Sequence, residues 1–109
     1  MKPTVTYDDF ARLDLRVATV LAARDHPNAD KLMLLSIRVG EEQKQIVAGI
    51  RGHYTPEELT GRQIVVINNL EEAVLRGEES QGMLLAASDG DAVVLLRPDR
   101  QCEAGAEIK

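Results

Sequence analysis

Aromatic residues are scarce in this 109-residue chain: no tryptophan, one phenylalanine and two tyrosines. Proteins that hold unpaired nucleobases stack them on aromatic faces, so this composition disfavours a general single-strand binder. The lone Cys102 excludes an internal disulfide, and with only two histidines it leaves too few ligands for a zinc site, which takes three or four. Among the longest apolar runs are Leu32–Leu35, Met83–Ala87 and Ala92–Leu96. They fall far short of the roughly 18 to 20 residues that cross a bilayer as helix, so no membrane partner is expected. Met1–Thr6 carries no apolar signal core, which together with the unpaired cysteine points to the cytoplasm. The sequence has no H-E-x-x-H, no G-x-S-x-G and no Walker loop, so no catalytic residue, metal or cofactor is assigned and no enzyme is expected.

Positive charge is also in short supply, with 13 Lys and Arg against 18 Asp and Glu for a net charge of -5. The acids cluster as doublets at Asp8-Asp9, Glu41-Glu42, Glu57-Glu58, Glu71-Glu72 and Glu78-Glu79, each at a turn or short-helix position by pattern. The basic residues Arg12, Arg16, Arg24, Lys31, Arg38, Lys44, Arg51 and Arg62 are spread singly, and one sheet face could collect several of them. With 44% apolar and 28% charged residues the composition is that of a globular protein, and its length suits one domain over residues 1–109.

Thr6-Tyr7-Asp8-Asp9 predicts a short helix to about Arg12, because the threonine can cap free N–H groups and early acids suit the positive end of the helix dipole. Alternating apolar residues from Leu13 to Val20 predict the first strand, broken by His26-Pro27-Asn28-Ala29-Asp30. Leu32–Val39 and Gln45–Ile50 predict an antiparallel pair joined through Gly40–Gln43. Thr55-Pro56-Glu57-Glu58-Leu59 predicts one helical turn, and Gln63–Asn68 a β-branched strand. Leu70–Gln81 reads as irregular, followed by a hairpin of Met83–Ser88 with Ala92–Arg97 around Asp89-Gly90-Asp91. Short strands with one helix after the third give an all-β class, a five-stranded OB-fold barrel with short helices.

Three segments go beyond periodicity: Asp9-Phe10-Ala11-Arg12-Leu13-Asp14-Leu15-Arg16-Val17, His26-Pro27-Asn28-Ala29-Asp30-Lys31-Leu32 and Ser80-Gln81-Gly82-Met83-Leu84-Leu85-Ala86-Ala87. Together with Val47-Ala48-Gly49-Ile50 and Asn69-Leu70 they strongly resemble the tRNA-binding domain family, known at the C-terminus of methionyl-tRNA synthetases and as a stand-alone homodimer. The resemblance implies an OB-fold that recognises the folded shape of tRNA, a homodimer, and possible association with methionyl-tRNA synthetase.

Residue by residue, the resemblance places Asn28 and Lys31 in a first tRNA-binding motif, where an amide meets a base edge or 2′-OH and an ammonium meets phosphate. Taken alone, Asn28 would read as a turn former and Lys31 as a solvated charge. Ser80, Gln81 and Met83 match a second motif, with burial in the barrel the competing reading for Met83, while Gly82 would serve close approach or a positive φ. Tyr54 is the candidate aromatic contact, against packing beneath the short helix. Family members commonly carry more basic residues than Arg51-Gly52-His53 and Glu71-Glu72-Ala73-Val74 offer, so weaker tRNA affinity is expected. The rival class is a chaperone-like protein-interaction module on the same fold, which the acidic charge would suit.

Overall fold

The computed structural model describes residues 1–109. Both short helices begin as the sequence predicts. In α1 (Tyr7–Ala11) the Thr6 hydroxyl accepts from the Asp9 N–H while the Asp9 carboxylate accepts from the Thr6 N–H. The same reciprocal box caps α2 (Pro56–Leu59), between Thr55 and Glu58. One acid of each of two doublets, Asp9 and Glu58, thus satisfies the N-cap N–H, while the threonine satisfies the N–H of that acid in the first helical turn.

The strands are β1 (Leu15–Asp25), β2 (Met33–Val39), β3 (Glu42–Ala48), β4 (Gln63–Ile67), β5 (Ala73–Leu75), β6 (Glu78–Ser80), β7 (Met83–Leu84), β8 (Ala86–Asp89), β9 (Ala92–Leu95) and β10 (Glu107–Ile108). All pairings between them are antiparallel, and the main sheet runs β3-β2-β1-β4-β7, with β10 sharing the β2 edge of the long β1. A register shift between Val20 and Ala22 bends β1 so that one strand serves both halves of the curl. The result is the all-β, barrel-like fold of OB type that the pattern predicts, built as a curled half-barrel of six strands where five were expected.

The concave side of the curl is filled by Ala18, Val20, Met33, Leu35, Ile37, Ile46 and their neighbours, closed below by Ile50 and Leu59. The face assignment of β1 differs from the simple alternation. Ala18 and Val20 enter this core, whereas Leu15 and Val17 are buried on the opposite face, where β4 and the tail strand β10 flank them. Register places Ile108, Leu15, Ile67 and Met83 in one row across four strands on that outer face.

Two expectations need correction. The predicted last hairpin forms around Asp89–Asp91 but is shorter than expected: Ala86–Asp89 pairs with Ala92–Leu95 as a separate two-stranded ribbon, while Met83–Leu84 joins the main sheet. The supposedly irregular Leu70–Gln81 contains the hairpin β5–β6, turning on Arg76 and Gly77 with φ of 54° and 89°. Its three-residue strands are too short and too exposed to leave an alternating signature. Positive φ at both turn positions is the geometry that matches a hairpin's twist.

Candidate nucleic-acid interface

The loop between β1 and β2 is held from behind by backbone and core-side groups, leaving its polar side chains outward. His26 N–H donates to the Leu32 carbonyl at 3.1 Å, closing the loop at its neck. The Arg51 guanidinium donates to the carbonyls of Ala29 (3.2 Å) and His26 (3.4 Å) and pairs with Asp25 at 3.5 Å. Asn28 and Lys31 are exposed, and their side chains make no hydrogen bond or ion pair within the chain. A free amide and a free ammonium on a pinned loop are available to a ligand without first breaking internal bonds.

His26, an ordinary loop residue by sequence, is the joint of this region. Its ring is 1% exposed. Nδ1 accepts from the Asn28 N–H at 2.9 Å, which requires Nδ1 to be unprotonated, so Nε2–H donates to the Leu75 carbonyl at 3.1 Å. One imidazole thus shapes the Asn28 turn and ties it to the β5–β6 hairpin, 49 residues away in sequence. The only signal in the sequence is a polar residue at the end of an apolar strand.

The hairpin leads into Ser80-Gln81-Gly82-Met83, and here the structure gives the polar residues internal work. Ser80 is buried; its hydroxyl accepts from the Val47 N–H at 2.9 Å and donates to the Gly82 carbonyl at 3.0 Å. The Gln81 side-chain oxygen accepts from the Gln45 N–H at 3.0 Å, and the Gln81 N–H donates to the Gln45 carbonyl at 2.8 Å. The Gln45 amide returns a bond to the Glu79 carbonyl at 2.9 Å. The open edge of β3 is therefore closed by side chains where a paired strand would otherwise run, satisfying N–H groups that burial makes costly to leave alone. Gly82, at φ 130°, sits so close to β4 that a Cβ would lie 2.9 Å from the Ile67 carbonyl oxygen, the close approach the motif implied.

Met83 is 43% exposed. It and Gly49 line an apolar groove of about 400 Å³ with Ile50, Leu85 and Val93, and the Lys31 carbonyl lies 4.0 Å from where a Gly49 Cβ would be. Gly49 thus borders both the groove that Met83 lines and the Lys31 backbone. Tyr54 is engaged internally. Its hydroxyl accepts from the Leu95 N–H at 3.1 Å, its ring packs against the core, and the Arg62 guanidinium lies 5.4 Å from the ring centroid. Of the six residues singled out in the sequence, Asn28, Lys31 and Met83 present free side chains, while Ser80, Gln81 and Tyr54 are engaged internally.

The dispersed basic residues are partly committed as well. Arg16 binds Asp14 at 2.6 Å and the Gly105 carbonyl at 3.2 Å, and Lys44 binds Asn68 Oδ1 at 2.8 Å. Asn68 donates in turn to Asp14 at 3.1 Å. That hydrogen bond, followed by Arg16 and then Lys44, holds the Asp14 carboxyl below its ordinary 3.8, against a smaller opposing effect of burial.

A curled all-β sheet of OB type, with a pinned polar loop at one end and a side-chain-sealed edge beside it, defines the class of protein as a small barrel-type binding domain. The particular family follows from comparison: residues 15–107 match the model of the putative tRNA-binding domain family, and the chain belongs to that family. It is 52% identical over 105 residues to a methionine–tRNA ligase of Thermococcus kodakarensis, covering 96% of this chain and 14% of the ligase. It is 54% identical over 104 residues to that of Thermotoga maritima, covering 95% and 16%. The chain thus spans about a seventh of the length of these relatives and matches their tRNA-binding domain. Among solved structures it resembles a MetRS-related protein from Pyrococcus horikoshii, with a TM-score of 0.92, 31% identity, and 99% and 100% of the two chains covered. It also resembles chaperone CsaA from Bacillus anthracis, with a TM-score of 0.89, 34% identity, and 98% and 100% covered.

Proposed function

We propose that this chain binds the folded shape of tRNA in the cytoplasm, without catalysis of its own, as a homodimer. It acts either as the appendage of a methionyl-tRNA synthetase or in trans beside one. The observation that carries the reading is the free Asn28 and Lys31 pair on a loop fixed by His26 and Arg51. Such a loop suits a structured RNA, whose 2′-hydroxyls and phosphates have fixed spacing, better than a flexible strand. Family membership and the likeness to methionine–tRNA ligases support it. Ser80 and Gln81 enter as the supports of the neighbouring rim, with Met83 its exposed apolar contact and Tyr54 the anchor behind it.

The dimer reading rests on unpartnered apolar surface. No residue of α1 is buried, Val5, Tyr7, Leu13 and Leu70 are exposed, and the Asn69 side chain binds the backbone of Arg12 and Asp14, bringing the chain beside Leu70 next to that beside Leu13. These residues adjoin the outer sheet row of Leu15, Ile67 and Ile108 through Asp14 and Leu15.

A second reading, a chaperone-like protein-interaction module, is favoured by the likeness to the CsaA structure and by the apolar groove at Met83. A binding titration across a salt series separates the two. Its ligands are folded tRNA, tRNA unfolded by removing magnesium, and single-stranded RNA of equal length. Preference for folded tRNA is the expected result. Equal weak binding to all three, with unfolded polypeptide bound regardless of added tRNA, would establish the chaperone reading.

A further inference from the structure

Away from the Asn28 loop, three arginines converge on one polar depression. Arg62, Arg97 and Arg100 line a cavity of about 280 Å³ that includes no hydrophobic residue, with Asp99 the one acid on its rim. None of the three guanidiniums has an acidic partner within 4.0 Å or a hydrogen bond within the chain, although the chain carries five more acids than bases. The backbone N–H groups of Arg97, Asp99, Arg100 and Gln101 likewise donate to no acceptor in the chain.

The depression is held in shape. Gln63, 6% exposed, donates to the Cys102 carbonyl at 2.6 Å and accepts from the Cys102 N–H at 3.1 Å. This clamp pins the end of the Arg97–Gln101 turn against the strand residue that follows Arg62. Arg62 is itself steadied over the Tyr54 ring at 5.4 Å, within the range of a cation–π contact. Unpaired guanidiniums, together with backbone N–H groups that have no acceptor within the chain, line one concavity and suit a tetrahedral oxyanion, and the planar fork of arginine matches phosphate in two-point contact.

From these features we infer that the Arg62–Arg97–Arg100 depression is a phosphate-binding site. It rests on the RNA-binding reading for its main source of phosphate. Tyr54, which carries Arg62 on its ring, also lines a second hollow together with Arg51 and the acids Asp25, Asp30 and Glu58. The ligand chemistry is a phosphodiester of the bound RNA, or a free phosphate compound if RNA is not the ligand.

The test has two arms. In the first, Arg97→Ser/Arg100→Ser is compared with Lys2→Ser/Lys109→Ser, which removes the same charge from the exposed ends of the chain, in folded-tRNA titrations across a salt series. The arginine variant is expected to bind about tenfold more weakly than the control, with a salt slope lower by about 0.7 to 0.9 for each phosphate no longer neutralised. Arg97→Lys/Arg100→Lys keeps the charge but not the fork, and should recover the slope more fully than the affinity. Arginine and control variants with equal affinity and slope would overturn the site while leaving the RNA reading intact. In the second arm, inorganic pyrophosphate is titrated while the arginine Nε–H resonances are followed by NMR. If the native chain shows no preference for folded tRNA, the RNA reading fails; shifts confined to Arg62, Arg97 and Arg100 then identify a small phosphate compound as the ligand, and no shift rejects the site.

Discussion

Lys31 and Ser80 share one function in the sequence motifs, and the structure separates them. Lys31 is solvent-facing and unbonded, so Lys31→Ala should leave stability within about 0.5 kcal/mol, as surface substitutions usually do. It should weaken tRNA binding and lower the salt slope by about the share of one phosphate. An unchanged slope would remove its phosphate role. Ser80 is the opposite case: Ser80→Ala strands the buried Val47 N–H and the Gly82 carbonyl, which should cost about 1 to 3 kcal/mol of stability in a denaturant titration. A Ser80→Ala protein of native stability but without tRNA affinity would return the serine to the binding surface. Asp14 adds a pH signature. Its folded pKa lies below the ordinary 3.8, so its stabilising bonds to Asn68 and Arg16 are fully present above that value and are lost as pH falls through the lowered one. Asp14→Asn should therefore flatten the acid limb of a stability-against-pH curve below pH 3.8, and an identical limb in both proteins would exclude this contribution.

At the scale of elements, legibility followed locality. Both capping boxes, the β2–β3 hairpin and the β4 strand depend on residues within a few positions of one another, and each was readable. The Asn28 and Lys31 loop was readable because its polar cluster interrupts a strand pattern. The β5–β6 hairpin and the role of His26 were not, since the partner of the His26 ring is a carbonyl that only the folded chain brings near. Nor could composition foresee that Ser80 and Gln81 would seal the β3 edge. The His26 joint makes a prediction of its own. In His26→Asn the shorter amide still offers an oxygen to the Asn28 N–H, in the manner of an Asx turn, but cannot reach Leu75. Hydrogen exchange should accelerate in Ala73–Ser80 while β1 and β2 keep their protection. Removing one hydrogen bond worth about 1 kcal/mol should weaken tRNA binding about fivefold if the hairpin helps to hold the ligand. Unaltered exchange in the hairpin would show that it is held by the β3 edge alone.

At the scale of the whole molecule, the proposed RNA ligand and the chain's net charge oppose each other. A net charge of -5 repels RNA at long range, so binding must rest on a few local groups, and one chain offers few. A symmetric pair doubles them at fixed spacing, so that a tRNA able to reach both copies gains by effective concentration what each copy lacks. The apolar surface around α1 is where such a pair would form, and Leu13 tests it cleanly because it is 45% exposed and supports nothing in the core. Burying a leucine at an interface is worth about 1.5 to 3 kcal/mol, so Leu13→Asp should raise the dimer dissociation constant by about ten- to a hundredfold without lowering the thermal stability of the barrel. Sedimentation velocity over a concentration series reads this directly. If affinity for folded tRNA falls in step with the dimer fraction, the two surfaces act together; if the native chain sediments as a monomer at every concentration, the pairing is excluded and the local groups of one barrel must suffice.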